Sequence, residues 1–384
     1  MKTAVGFLSK LLVTVTVAVA VMLVSSINMP AAYAKVKLDM FDLEAHRGGR
    51  DVRPENTLIS FAYALELGVT TLEMDMQMTK DGHIVISHNP KMSWILARGP
   101  NGQYVSRDNP PDIRLMTLAE IKQYDVGVMN PNGGDYYESH GRTQLAVPGT
   151  RIPTLEEVFE LVNAYGNKTV LFNIETKSYA DPADPGYINN PDPAVFVKKV
   201  YDIIKRYHME DRVMLQSFDW RTLKEMQKLD PNITLVALTC EQPSWGRDGL
   251  YRQVGEIGSS PWMGGLDIDD FNGDYVKAAK AIGADVISPY FKELSLELVE
   301  EAHELGMKVV PWTVNREQDM NMLIDMGVDG IITDKPHVLR SLLIKRGIKV
   351  AEPTKAPPGM IYSTGTSVVS GVSKQLAKGG DAAH

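Results

Sequence analysis

The sequence predicts an α/β fold and, within that class, a (β/α)8 barrel of the TIM type. Short runs rich in β-branched and apolar residues alternate with segments of helical spacing from residue 39 to residue 334, which is the pattern of repeated βα units. Acidic, basic and histidine residues gather at the ends of these runs, where such a barrel places its functional groups. An open, doubly wound sheet shows the same alternation and is the alternative fold.

Nine segments have the composition of buried strands, and helical patterns such as "TLISFAYALELG", "TLEEVFELVNAYG" and "SLELVEEAHELG" fill most of the intervals between them. In chain order, the nine segments are 39–46, 70–77, 83–88, 169–177, 212–218, 233–239, 285–290, 308–315 and 329–334.

The second and third candidate strands are predicted to form a hairpin. Only "MTKDG" separates them, and its Asp81-Gly82 pair is a strong signal for a two-residue turn. Parallel neighbours need a crossover of about a dozen residues or more, so segment 83–88 is expected to pair antiparallel with segment 70–77. Eight strands are then left for the parallel barrel.

The chain is divided into a leader, a barrel and a tail. Residues 1–34 are predicted as a signal peptide cleaved near Ala34, because early lysines precede a short apolar run and the small residues of "AAYA"; an uncleaved anchor is the alternative. We therefore expect export to the periplasm or the medium. The barrel is expected over 35–350, with a loop-rich insertion at about 89–150, and 351–384 as a flexible tail.

Composition narrows the choice of partners. The formal charge is -8 and no basic run is present, which argues against nucleic acid as a partner and against a stable membrane anchor in the mature chain. Cys240 is the single cysteine, so no intramolecular disulfide forms even in an oxidising compartment. The sequence gives no indication of oligomeric state.

Three carboxylates are predicted to share the mouth of the barrel. Glu73 and Asp75 lie two apart on one strand, so both point to the same side, and Glu175 lies near the end of the next parallel strand. Buried carboxylates repel one another unless a cation compensates them, and hard divalent ions prefer oxygen ligands. Zinc fits less well because no closely spaced His or Cys pair is present. Salt bridges to Arg47 and Lys177, with no metal, are the alternative.

Two histidines and two cations complete this group. His46 and Arg47 end the first strand, His88 ends the hairpin, and Lys177 follows Glu175 by two residues. Arg and Lys beside a bound cation suit a phosphate, and two histidines suit proton transfer near neutral pH. Together they indicate cleavage of a phosphodiester, although His46 taken alone is as consistent with a buried structural histidine.

The sequence resembles the glycerophosphodiester phosphodiesterase family over residues 39 to 345. The resemblance depends on "EAHRGGRDVRPENTLISFAYALELGVTTLEMDMQMTKDGHIVISHNP" and on "RIPTLEEVFE", "NIETK", "QSFDW", "PWTVN" and "GVDGIITDKP". It implies a TIM-type barrel with an insertion after the second histidine, and a divalent cation, expected to be Ca²⁺ with Mg²⁺ as the alternative. It also implies hydrolysis of small glycerophosphodiesters to sn-glycerol 3-phosphate and an alcohol.

The resemblance assigns roles by matching position. It implies His46 as proton acceptor and His88 as proton donor, with a glycerol hydroxyl of the substrate as nucleophile and a cyclic intermediate that water opens. The metal ligands and phosphate-binding residues that it implies are, respectively, Glu73, Asp75 and Glu175, and Arg47 and Lys177.

Several further residues have two alternative roles each or are candidate contacts. Glu55 is expected either near a helix start, orienting Arg47 and the metal site, or as a direct ligand. Gln216, where relatives often have Ser, is a candidate contact, and Trp312 is either core or a wall for the substrate. Arg50 and Arg53 either reach the substrate or face solvent.

Two other functions stay open. A phospholipase of the phosphatidylinositol-cleaving or sphingomyelinase D type uses the same kind of barrel on intact lipid, but it needs an apolar rim, and the insertion here is polar. A protein that binds a phosphodiester without cleaving it would not require both histidines and all three carboxylates.

Overall fold

The computed structural model describes residues 35–241 and 253–360. The predicted signal peptide and residues 361–384 of the predicted tail lie outside the described residues, so both stay predictions. The first part of the tail is described: the backbone N–H of Thr354 donates to the carbonyl of Leu65 at 2.9 Å. Among the helices of the described residues, none combines the length and apolarity needed to cross a bilayer.

The described residues form a nine-stranded sheet, of which eight strands run parallel in the order β8-β7-β6-β5-β4-β2-β1-β9. Backbone hydrogen bonds join its two ends, from Asp329 N–H to Val309 O at 2.9 Å and from Ile332 N–H to Pro311 O at 3.0 Å. The predicted (β/α)8 barrel is therefore confirmed. Its strands are β1 (Asp42–Ala45), β2 (Thr71–Met78), β3 (Ile84–Ile86), β4 (Leu171–Thr176), β5 (Val213–Ser217), β6 (Thr234–Thr239), β7 (Val286–Pro289), β8 (Lys308–Val309) and β9 (Gly330–Thr333).

Strand β3 forms the predicted hairpin. It pairs antiparallel with β2, so that Met76 faces Ile86 and Met78 faces Ile84. Gly82 has a φ of +81° in the turn, a conformation that glycine adopts without strain. The hairpin carries the chain back along β2, where the N–H of Ser87 donates to the carbonyl of Asp75 at 2.9 Å, so that His88 follows at the level of Asp75.

Helices follow most of the strands, and most begin with a side-chain cap. They are α1 (Leu58–Leu67), α2 (Leu118–Ile121), α3 (Leu155–Ala164), α4 (Pro193–Tyr207), α5 (Trp220–Leu229), α6 (Tyr275–Ala281), α7 (Leu296–Glu304), α8 (Glu317–Asp325) and α9 (Pro336–Lys345). Thr57 caps α1 by accepting from the N–H of Ser60. Helix α1 therefore starts after Glu55, which is not a helix residue but lies in the preceding turn.

The interior of the barrel is divided by polarity. On the side of β5 to β9, an apolar cluster includes Met214, Val236, Leu238, Val286 and Ile332. On the side of β1, β2 and β4, the buried residues include the polar groups Asp42, Glu44, Glu73, Asp75 and Asn173. Burying this many polar groups is costly unless they bind one another or a ligand. The polar side therefore marks where a functional site is expected.

The loop-rich segment after His88 packs around a small core of its own. Met92, Ala97, Ile113 and Ile121 are buried there, and helix α2 is its single α-helix within the described residues. The segment returns to the barrel at residue 153, where the carbonyl of Pro153 accepts from the N–H of Ile86 at 2.8 Å. Its position next to the carboxyl ends of the strands allows it to contact the site.

Candidate active site

A tight turn follows β1 and positions the candidate residues His46 and Arg47. Arg47 has a φ of +51° and Gly48 a φ of +81°. A Cβ atom at Gly48 would lie 2.3 Å from the hydroxyl oxygen of Ser60, so this position requires glycine. The turn lets the backbone N–H of Arg47 donate to Oε2 of Glu73 at 2.8 Å. It thereby joins the end of β1 to the carboxylates of β2.

His46 is held by the buried carboxylate of Asp334, which no sequence motif singles out. Its Nδ1 lies 2.6 Å from Oδ1 of Asp334, just after β9. Arg50 binds both oxygens of Asp334, at 2.6 and 3.1 Å, and the amide of Asn315 donates at 2.6 Å. Although burial opposes it, the charge of Arg50 and the hydrogen bonds that His46 and Arg50 donate hold the pKa of Asp334 well below its usual range. A carboxylate at this position favours the proton on Nδ1 of His46.

The other ring nitrogen of His46 faces the carboxylate cluster. Its Nε2 lies 4.0 Å from Oε2 of Glu73. Burial lowers the pKa of His46 to about 4, against the opposing attraction of Asp334. His46 is therefore neutral near pH 7, and with Nδ1–H donated to Asp334, Nε2 has a lone pair available to accept a proton.

Glu73, Asp75 and Glu175 converge as the sequence predicts. One ligand oxygen from each lies within 4.8 Å of the others, and all three side chains are buried. Burial and the charge of Asp75 raise the pKa of Glu73 well above its usual value, and burial raises the pKa of Glu175 to about 7. Three buried carboxylates at this spacing are the donor set of a hard divalent cation. The residues therefore fit such an ion.

Amides from neighbouring segments fix these carboxylates. Gln216 donates to Oε1 of Glu73 at 3.3 Å and accepts from Asn173 at 2.9 Å. The amide of Asn56 donates to Oδ2 of Asp75 at 2.9 Å. Gln216 therefore orients a member of the cluster, and it also lines the cavity described below.

Arg47 lies between two carboxylates. Its Nη1 is 2.8 Å from Glu55 and its Nε is 3.1 Å from Oδ2 of Asp75. Although burial opposes it, the charge of Arg47 holds the pKa of Asp75 far below its usual value. Tyr136 of the insertion donates its hydroxyl proton to Glu55, and Arg50 donates to the Tyr136 oxygen at 3.2 Å. Glu55 thus orients Arg47, and the insertion contacts the site through Tyr136.

Lys177 connects the carboxylate cluster to the second histidine. Its Nζ lies 2.8 Å from Oε1 of Glu175 and 3.2 Å from Nε2 of His88. Nδ1 of His88 lies 2.8 Å from the side-chain oxygen of Asn89. Burial, together with the charges of Arg47 and Lys177, lowers the pKa of His88 well below its usual value. His88 is therefore neutral in the folded chain without a bound anion, accepting from Lys177 and donating to Asn89.

A cavity of about 520 Å³ opens onto these groups. One side is polar and is lined by His46, Arg47, Glu73, His88 and Lys177, among others. The other side is apolar and largely aromatic. Its residues are Tyr179, Phe218, Leu238, Cys240, Trp262, Tyr290, Phe291, Trp312 and Ile332.

The structure brings together all seven residues predicted for catalysis, metal binding and phosphate binding. Trp312 lies on the wall of the cavity, where its indole N–H donates to the carbonyl of Ser288 at 3.0 Å. Of the two further arginines, Arg50 reaches the site, whereas Arg53 packs over the ring of Tyr63 at 4.9 Å. Asp334 is the last residue of the predicted strand 329–334. The rule that a barrel places its functional groups at the carboxyl ends of its strands therefore applies to Asp334 as well.

Comparisons with known proteins agree with this geometry. A model of the glycerophosphoryl diester phosphodiesterase family matches residues 46–338. A glycerophosphodiester phosphodiesterase of Caldanaerobacter subterraneus is 34% identical over 303 residues, which is 79% of this chain and 98% of the relative.

Solved structures show the same fold. A protein of Silicibacter pomeroyi, provisionally assigned as a glycerophosphoryl diester phosphodiesterase, is 31% identical with a TM-score of 0.67, covering 83% of this chain and 96% of that one. A phosphodiesterase of Oleispira antarctica, solved with the product sn-glycerol-3-phosphate, is 21% identical with a TM-score of 0.55, covering 78% and 96%. Since the family model spans most of the barrel, this chain belongs to the glycerophosphoryl diester phosphodiesterase family.

Proposed function

We propose that the protein hydrolyses glycerophosphodiesters to sn-glycerol 3-phosphate and an alcohol with the help of a divalent cation. The observation that supports this most strongly is the pairing of a neutral His46, whose Nε2 is free to accept a proton, with a three-carboxylate cluster 4.0 Å away. A phosphodiester binder would need charge, but it would not need a proton acceptor held by a buried carboxylate.

The cation would be held by Glu73, Asp75 and Glu175, and we propose Ca²⁺, with Mg²⁺ as the alternative. When bound, it supplies positive charge next to the non-bridging oxygens of the phosphate. Arg47 and Lys177 border the same space and add fixed positive charge for the phosphate. Both side chains are already paired with carboxylates, so they are oriented before substrate binds.

The proton transfers divide between the two histidines. Nε2 of His46 takes the proton of the attacking glycerol hydroxyl as the new P–O bond forms, and Asp334 stabilises the resulting imidazolium. On the opposite side, His88 protonates the oxygen of the leaving alcohol as its P–O bond breaks. An anionic phosphate beside His88 opposes the charges of Arg47 and Lys177 and raises the pKa of the ring. Water then opens the cyclic phosphodiester, with the histidine roles reversed.

The test is a metal-reconstituted assay against a panel of glycerophosphodiesters that measures release of glycerol 3-phosphate. We expect turnover with Ca²⁺ and loss of two or more orders of magnitude in His46→Ala and His88→Ala. Absence of turnover by the metal-loaded protein on every substrate would refute the proposal. Unchanged activity in excess chelator would refute the metal assignment. Cleavage of intact lipid in vesicles, without activity on soluble substrates, would favour the phospholipase alternative.

We also propose that the mature protein is exported. The early lysines, the short apolar run and the small residues within residues 1–34 support this proposal. N-terminal sequencing of the protein recovered from cell fractions tests it, and a chain that starts at Met1 in the cytoplasm would contradict it.

A further inference from the structure

Four side chains form a continuous aromatic wall on one side of the cavity: Phe218, Tyr290, Phe291 and Trp312. The ring centroids of Phe218 and Trp312 are 5.3 Å apart with planes at 83°. Those of Tyr290 and Trp312 are 5.6 Å apart at 58°, and those of Tyr290 and Phe291 are 5.2 Å apart at 64°. Rings that meet at steep angles form a corner rather than a flat stack, so more than one ring can contact a single group.

The aromatic wall begins next to the groups that handle the leaving alcohol. The Nζ atom of Lys177 lies 5.8 Å from the centroid of Phe218, and it also contacts His88 at 3.2 Å. On the proposed function, His88 protonates the leaving oxygen. A substituent two carbons beyond that oxygen would therefore lie against the aromatic wall. The charge of Lys177 is compensated by Glu175 at 2.8 Å, which reduces its repulsion of a second cation.

The chemistry of the aromatic wall selects among alcohols. Among the described residues that line the cavity, the carboxylates are Glu73 and Glu175, and both belong to the metal cluster. The apolar side chains Leu238 and Ile332 also line the cavity and belong to the same apolar cluster as Trp312, and the indole N–H of Trp312 donates to the carbonyl of Ser288. A primary ammonium or a polyol has several N–H or O–H donors that need acceptors when water is removed. A trimethylammonium group has none, and it binds to ring faces.

We propose that the aromatic wall binds the trimethylammonium group of a choline headgroup, so that glycerophosphocholine is the preferred substrate class. This inference rests on the proposed function, because it assigns the leaving-alcohol end of the same site. The phosphate contacts stay the same for all substrates, and the preference comes from the alcohol alone.

The test compares glycerophosphocholine with glycerophosphoethanolamine, which differ in the three methyl groups. For the calcium-loaded protein we expect kcat/KM to favour the choline substrate by about tenfold or more. Trp312→Leu and Tyr290→Leu should each lower kcat/KM for the choline substrate by about tenfold and change it little for the ethanolamine substrate. Tyr201→Leu is the matched control, because it removes a ring from helix α4 whose hydroxyl binds Asp230 outside the cavity.

A second measurement requires no variant. Choline should inhibit cleavage of glycerophosphoethanolamine by the wild-type protein, and ethanolamine at the same concentration should not. Equal kcat/KM for the two substrates, or equal inhibition by the two amines, would overturn the inference and leave the proposed function intact. No turnover of either substrate by metal-loaded protein would instead count against the proposed function.

Discussion

Asp334→Asn tests whether the carboxylate that holds His46 sets the direction of proton transfer. The substitution keeps the size of the side chain and removes its charge. The outcome depends on where the new amide nitrogen lies. At the position of Oδ2 it would face two donors, from Arg50 at 3.1 Å and Asn315 at 2.6 Å. At the position of Oδ1 it would face Nε of Arg50 and Nδ1 of His46, and His46 can change its tautomer.

With the amide nitrogen at the position of Oδ1, only one fixed donor, Nε of Arg50, opposes it, because His46 can change its tautomer. With the nitrogen at the position of Oδ2, two fixed donors oppose it. We therefore expect the Oδ1 position. The new amide would then donate to Nδ1 of His46 and shift the ring proton to Nε2, which removes the lone pair that is proposed to accept the substrate proton. The loss of one hydrogen bond to a charged group raises the activation free energy by about 1.5–3 kcal/mol. This increase lowers the rate by roughly 10- to 150-fold. The wrong tautomer adds to this loss, so a decrease of about 100-fold or more in kcat is expected.

The assay is kcat and KM on glycerophosphocholine, with ¹⁵N NMR of the histidine rings as a direct readout of the tautomer. Calcium affinity, measured by calorimetry, should stay unchanged because Asp334 is not one of the three clustered carboxylates. Asp202→Asn, at an exposed position paired with Lys198, is the control. Wild-type kcat in Asp334→Asn, with the proton of His46 still on Nδ1, would refute this reasoning.

Three further changes test other buried polar groups of the barrel and its insertion. Glu73→Gln should weaken calcium binding in calorimetry by tenfold or more, since it removes one of three ligand charges; unchanged affinity would exclude Glu73 as a ligand. Tyr136→Phe removes the donor to Glu55, which orients Arg47, so we expect about tenfold lower kcat/KM with an unchanged melting temperature, and a lower melting temperature alone would indicate a purely structural role. Burial raises the pKa of Asp42 from 3.8 to about 6, so the folded chain binds more protons than the unfolded chain, and stability falls as pH rises through this range. Asp42→Asn should therefore gain up to roughly 3 kcal/mol in free energy of unfolding relative to wild type between pH 4 and pH 7 in urea titrations, whereas a difference that does not change with pH would contradict the assignment.

The barrel and most of the polar site were predictable because both depend on local patterns. Strand periodicity, together with the rule that strand ends meet at one mouth, brought His46, Glu73 and Lys177 into one group. Asp334 obeys the same rule. Its role depends on contact with a residue 288 positions earlier, and periodicity gives no information on which strand ends face each other across the mouth.

The contacts between the insertion and the site could not be predicted from the sequence. Tyr136 lies 81 positions from Glu55 in a segment without regular strands. Loops of this length follow no period from which the direction of a side chain could be read. The protonation state of His88 could not be predicted from the sequence either, because it depends on burial and on the nearby charges of Arg47 and Lys177.

The barrel interior is divided into a polar and an apolar side, and this division separates the proposed reaction chemistry from the proposed choice of alcohol. With the exception of Asp334, the groups proposed to bind metal and phosphate and to move protons lie between residues 46 and 177, whereas the aromatic wall lies between residues 218 and 312. On these proposals, mutations in the second half of the chain can change which alcohol is accepted without moving a proposed metal ligand or either histidine. Related proteins with this architecture can therefore differ in the alcohol that they accept while they keep the same reaction.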